Sequence, residues 1–127
     1  MEISLCRSIN DIRQGHQLRN FKENQMLSKI ARRYSQRMCQ ENFFSHHDPS
    51  GCGIADRVRS EGLSFVFLGE NIAKNCNASD PAATALKSWM NSKGHRANIL
   101  SERYSETGIG IWKKENHFFF TQIFMKP

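Results

Sequence analysis

Three short segments set ionisable side chains beside glycines or in loops: Phe44-Ser45-His46-His47, Gly69-Glu70-Asn71-Ile72-Ala73 and Trp89-Met90-Asn91-Ser92-Lys93-Gly94-His95-Arg96-Ala97-Asn98-Ile99-Leu100. Two imidazoles and a carboxylate suit three kinds of chemistry. Neutral imidazole nitrogens with water and a carboxylate can hold zinc or a similar divalent ion, with His46 and His95 as ligands and Glu70 as a further ligand or as the acceptor that orients one of them. The same groups could activate water as a metal-assisted or general-base hydrolase. Equally, they can form a hydrogen-bonded polar cluster that organises a cleft without reacting. Ser45, Ser92 and Ser101 lie near these segments but not in a nucleophile elbow, so a Ser-His-Glu hydrolase ranks below the other readings. His47 carries little weight beside its neighbour, and His16 and His117 fall outside the three segments.

The residues around these segments say what must hold them. Leu5, Ile9 and Ile12, and then Met26, Ile30, Tyr34 and Met38, recur at helical spacing and predict two amphipathic helices. Pro49 and Gly51 break regular structure and place His46 and His47 on or beside a loop. A short helix is expected over Ile54 to Glu61, ended by Gly62, then a strand from Ser64 to Leu68 that runs into Gly69-Glu70-Asn71-Ile72-Ala73. Asp80 before Pro81 is a strong helix start, and Ala82, Leu86, Trp89 and Met90 continue it. Gly94 is expected to stop that helix, with His95 just past its end. The tail reads as a hairpin of Thr107 to Trp112 and His117 to Phe124. In its second strand Phe118, Phe120 and Phe124 face one way while Phe119 and Ile123 face the other. Such a strand needs cover on both faces, hence a sheet between two helical layers.

In order and spacing, the three segments, with Gly108-Ile109-Gly110 and Thr121-Gln122-Ile123-Phe124, resemble the bacterial branch of the CAP superfamily. This superfamily takes its name from cysteine-rich secretory, antigen five and pathogenesis-related proteins, and its module is also called the SCP domain. The resemblance covers Leu5 to Phe124 and implies an α+β fold, a three-layer α-β-α sandwich, with residues 1–127 as a single CAP (SCP-like) domain. It also implies a central cleft with His46, His95 and Glu70. The family's second acid, three residues after the tryptophan, is Ser92 here, so mechanisms that need two carboxylates lose their support. The family has no single established reaction, and its members bind lipids, sterols, metal ions or proteins. The resemblance therefore implies a secreted or cell-surface binding module, with a lipid, sterol or protein ligand, rather than an enzyme.

Composition narrows the context. At 127 residues with 39% hydrophobic and 24% charged residues, the chain suits one packed core. The net charge of +6 favours acidic surfaces in general, but no nucleic-acid motif accompanies it, and Lys29, Arg32, Arg33 and Arg37 read as a solvated helical face. No apolar run is long enough for a transmembrane helix, and Glu2, Arg7, Asp11, Arg13 and Arg19 rule out a secretory signal in the opening residues. A secreted chain is then one from which the signal has been removed. Cys6, Cys39, Cys52 and Cys76 form no Cys-x-x-Cys pair, which leaves two disulfides or four reduced thiols. If the first two helices pack antiparallel, Cys6 and Cys39 share an end of the pair and Cys52 is left with Cys76.

Overall fold

A computed structural model describes all residues, 1–127. Nine elements follow one another: α1 (Glu2–Gly15), β1 (Lys22–Glu23), α2 (Gln25–Gln40), α3 (Ile54–Ser60), β2 (Phe67–Cys76), α4 (Pro81–Met90), α5 (Lys93–Ile99), β3 (Glu106–Lys114) and β4 (His117–Lys126). The strands form one sheet in the order β1-β3-β4-β2. The short β1 runs parallel to β3, and the other pairings are antiparallel.

Alternation along β4 explains the layers. Phe120 and Phe124 pack with Leu5 and Ile9 of α1, Ala85 and Trp89 of α4 and Ile99 of α5. Ile123 and Met125 point to the other face and pack with Leu27, Ile30 and Ala31 of α2 and Val58 of α3. A strand apolar on both faces thus carries a helical layer on each, and the α+β, three-layer α-β-α arrangement expected from the sequence is present. The close approach of α2 to β3 depends on glycine. A Cβ on Gly110 would lie 1.9 Å from the Arg32 backbone nitrogen, and one on Gly108 2.2 Å from that of Ser28.

The two expected helices form, but not as a pair. α1 belongs to one layer and α2 to the other, because their apolar stripes face opposite sides of the same sheet. The link between them is polar: Glu2 accepts the Ile111 backbone N–H of β3 (3.0 Å) and two bonds from Arg32 of α2 (2.6 and 2.9 Å). This arrangement also corrects the disulfide expectation. All four cysteines are free thiols, Cys6 and Cys39 buried in helices of different layers, Cys52 and Cys76 exposed. Burial, with a smaller push from Glu23, raises the Cys6 thiol above its ordinary pKa.

Asp80 caps α4 by accepting the Ala83 N–H, with Pro81 in the first turn, as the sequence predicts. The end of that helix differs from expectation. α4 stops at Met90, and Gly94 lies within α5, which Ser92 precedes as N-cap, so His95 sits in the first turn of a new helix. The first long strand is also displaced, beginning at Phe67 rather than Ser64 and running on to Cys76.

No helix is long and apolar enough to cross a membrane. β2 is an edge strand, and an exposed edge invites pairing with another chain. Three of its carbonyls meet side chains of the same chain: Trp89 Nε1 donates to Ile72 O (3.0 Å), Asn98 Nδ2 approaches Glu70 O (3.4 Å) and Tyr104 Oη approaches Leu68 O (3.5 Å).

Candidate functional site

The middle of β2 joins the two layers through consecutive residues that point to opposite faces. Glu70 turns toward α3 and the loop after α2, where its carboxylate accepts Arg57 Nη1 (2.7 Å), Arg57 Nη2 (3.1 Å) and His46 Nδ1 (2.9 Å). A carboxylate only accepts, so neutral His46 carries its proton on Nδ1 and leaves Nε2 unprotonated. Asn71 turns toward α5, where its Nδ2 donates to the His95 carbonyl (3.0 Å) and its Oδ1 accepts Asn98 Nδ2 (2.9 Å). Gly69 fits the same plan, since a Cβ there would meet Tyr104 Oη at 2.5 Å.

The loop that carries His46 is held at several points. Tyr34 Oη donates to Ser45 O (2.6 Å), and Arg57 Nη2 donates to His46 O (3.1 Å). The Arg57 guanidinium lies over the Tyr34 ring, 3.4 Å from its centroid, a cation–π contact that joins α2 to α3. Burial is the main cause that pushes the Tyr34 hydroxyl up to about 12. Farther along, Asp48 accepts the Ser50 N–H and hydroxyl, the Cys52 N–H and Arg37 Nη1. Those bonds, led by the Ser50 hydroxyl and then Arg37, hold its carboxyl well below the usual carboxylate range.

The two histidines meet the same cleft from different layers. It has a volume of about 590 Å³ and is lined by Phe44, His46, Ile72, Lys74, Ser88 and His95, among others. The His46 side chain is half-exposed, whereas Glu70 behind it is 2% exposed. His95 Nδ1 is paired with Ser92 Oγ at 2.8 Å, so the residue in place of a second acid still contacts the imidazole, now as a neutral hydroxyl. Burial, then the charge of His46, lowers the His95 pKa below its ordinary value. With both Nδ1 atoms engaged, the Nε2 atoms are the nitrogens left for a ligand.

This donor set limits a metal. Both Glu70 oxygens are engaged, and no group of three or more His, Cys, Asp or Glu side chains is arranged to hold an ion. Two imidazoles with solvent fall short of the usual three protein ligands of catalytic zinc.

The remaining candidates lie elsewhere. His47 is exposed and packs by Gly53, His16 contacts its own helix at Ile12 O, and His117 faces Cys76. Ser45 Oγ accepts the His47 N–H and Ser101 Oγ the Arg103 N–H, so both serve local turns. Sequence reasoning missed Arg57, which covers Glu70 on two sides, and Tyr34 as the clamp on the histidine loop. Arg57 is one of three charges on a short polar helix, and nothing in its spacing marks it. Asn71 and Asn98 do stand inside the segments that drew attention, as amides beside the ionisable residues.

Comparison with known proteins agrees with this fold. The model of the CAP, cysteine-rich secretory protein family matches residues 6–124. The uncharacterized protein YkwD of Bacillus subtilis is 37% identical over 112 residues, which cover 84% of this chain and 42% of that protein. An extracellular protein containing an SCP domain from Bacillus anthracis superposes with a TM-score of 0.89 at 32% identity, over 99% of this chain and 40% of that one. An outer surface protein of Borrelia burgdorferi shares the fold, with a TM-score of 0.87 at 20% identity, over 96% and 89% of the two chains. The chain thus spans less than half the length of its Bacillus relatives, and the neighbours include extracellular and surface proteins. With the family model matching residues 6–124, almost end to end, the chain belongs to the CAP, or cysteine-rich secretory protein, family.

Proposed function

We propose that the chain is a secreted or cell-surface binding module whose ligand sits between His46 and His95, rather than an enzyme. The observation that carries this reading is the state of Glu70: Arg57 and His46 engage both of its oxygens, and a general base needs a free lone pair aimed at substrate. What the cleft offers instead is a pair of imidazole Nε2 atoms beside the exposed ring of Phe44 and the flank of Ile72. That combination suits a ligand with a polar head and an apolar body, such as a lipid, a sterol or an apolar side chain of a protein partner. The test is to follow the histidine ring signals by NMR while a fatty acid, a sterol and Zn²⁺ are titrated in turn. Binding in the cleft shifts His46 and His95 together and leaves His16 and His117 in place. If all three titrants leave His46 and His95 unmoved, the reading fails.

A second reading, a general-base or metal-assisted hydrolase, draws support from His95, whose lowered pKa favours the neutral imidazole that a base or metal ligand needs. In its metal-assisted form Glu70 would have to release Arg57 to become a ligand. It predicts a turnover on simple esters that His95→Gln abolishes while the fold persists.

A further inference from the structure

Four arginines of α2 and α3 are tied to carboxylates: Arg32 to Glu2, Arg33 to Glu61, Arg37 to Glu41 and Asp48, Arg57 to Glu70. At the end of the sheet where β2 begins and β4 ends, the pattern reverses. Arg19, Arg103 and Lys126 line one open pocket of about 410 Å³ with a single acid, Glu102, and none of the three cations forms an ion pair. All three are exposed.

Apolar side chains stand in the same place. Val66 is 63% exposed and Phe67 39%, consecutive residues at the start of β2. The Val66 N–H donates to Lys126 O, and the Arg103 guanidinium lies 5.3 Å from the Phe67 ring centroid. Arg59 lies 4.9 Å from the ring centroid of Phe65, the residue before Val66, which is itself half-buried in the α2 layer. Arg103 thus lies against the exposed apolar pair, Lys126 is the cross-strand partner of Phe67, Arg19 shares a pocket with both cations, and Arg59 sits at the ring of the preceding Phe65. Phe44, another exposed aromatic, lies in the histidine cleft and is not part of this patch.

From this arrangement we infer that the Val66–Phe67 tip, with Arg19, Arg59, Arg103 and Lys126 around it, is a docking surface for an anionic phospholipid membrane. Cations beside exposed aliphatic and aromatic groups match the boundary of such a bilayer, where headgroup phosphates meet the first acyl carbons. A purely anionic polymer would satisfy the arginines and the lysine but leave Val66 and Phe67 in water, so the apolar pair favours the lipid surface. The surface is separate from the histidine cleft, and the inference does not rest on the ligand proposed there.

Co-sedimentation with vesicles tests it. The chain is expected to bind vesicles of equal parts phosphatidylglycerol and phosphatidylcholine, to bind phosphatidylcholine alone far more weakly, and to lose binding as salt rises from about 0.1 M to 1 M. Arg103→Ala with Lys126→Ala lowers partitioning about twenty-five-fold, at about five-fold per cation. Val66→Ser with Phe67→Ser lowers it about ten-fold without changing the charge. The charge-matched control, Lys87→Ala with Lys114→Ala, removes two cations away from the patch, on α4 and at the far end of β3, and stays within about two-fold of the native chain. All these side chains are exposed, and circular dichroism confirms that each variant is folded. Equal losses in the two charge variants would reduce the effect to net charge and overturn the inference. So would undiminished binding by the serine variant, or capture on a soluble anionic polysaccharide with none on vesicles.

Discussion

The two cleft histidines have unlike partners, and the difference follows from one residue. His46 donates to a buried carboxylate that Arg57 also holds, whereas His95 faces only the hydroxyl of Ser92. A carboxylate at that position would stabilise the imidazolium, and a hydroxyl lacks the charge to do so. Burial and the charge of His46 are therefore unopposed, and they lower the His95 pKa. The unfolded chain then binds more protons at His95 than the folded chain as pH falls below the ordinary value of 6.5. This contribution to stability is complete above that value and is lost as pH falls through the folded pKa. His95→Gln removes that part of the pH dependence, which shows as a flatter unfolding midpoint against pH across this window. Ser92→Glu makes the sharper test, because the added carboxylate moves the NMR titration midpoint of His95 upward by about one pH unit or more. An unmoved midpoint would mean that the residue at position 92 does not govern the charge of the histidine.

Among the elements, β2 and β3 organise the site by different means. β2 sends Glu70 to one layer and Asn71 to the other, so a single peptide step fixes the loop of His46 and the helix of His95. β3 acts through what it lacks: Gly108 and Gly110 let the α2 backbone settle on the sheet, which brings Ser35 Oγ within 2.9 Å of Gly110 O and 2.8 Å of Thr121 Oγ1. A methyl at Gly110 has no flexible neighbour to push aside, only the backbone of Ala31 and Arg32. Gly110→Ala is therefore expected to destabilise the chain by about 3 kcal/mol in chemical denaturation, as an overpacked core does. Gly15→Ala is the contrast, since its methyl meets nothing within 4 Å; it should be neutral or stabilise by about 0.5 kcal/mol. Equal effects would show that α2 does not rest on the glycine face of β3.

Across the whole molecule, local signals were legible and their assembly was not. The periodicity of Met26 to Met38 states which side of α2 is apolar, the Asp80-Pro81 pair where α4 starts, and the alternation of Phe118 to Phe124 that each side of β4 is apolar. None of them states what that side meets. The stripe of α1 would serve against α2 or against the sheet, and the sheet took it, on the face opposite α2. In the site, the ionisable residues and glycines stood out as types, but Arg57 became part of it only when α3 was laid beside β2. The cysteines carry the same lesson to a measurable end, for a Cys6–Cys39 disulfide requires a helix pair that does not form. Four free thiols predict that all four react with an aqueous thiol reagent in denaturant under non-reducing conditions. In the native state the exposed Cys52 and Cys76 react promptly, while Cys6 and Cys39 wait for unfolding. Reductant should leave the unfolding midpoint unchanged, since no cross-link constrains the unfolded chain. A shortfall of two thiols in denaturant, with a midpoint that drops on reduction, would establish a disulfide and require that two of these cysteines come together.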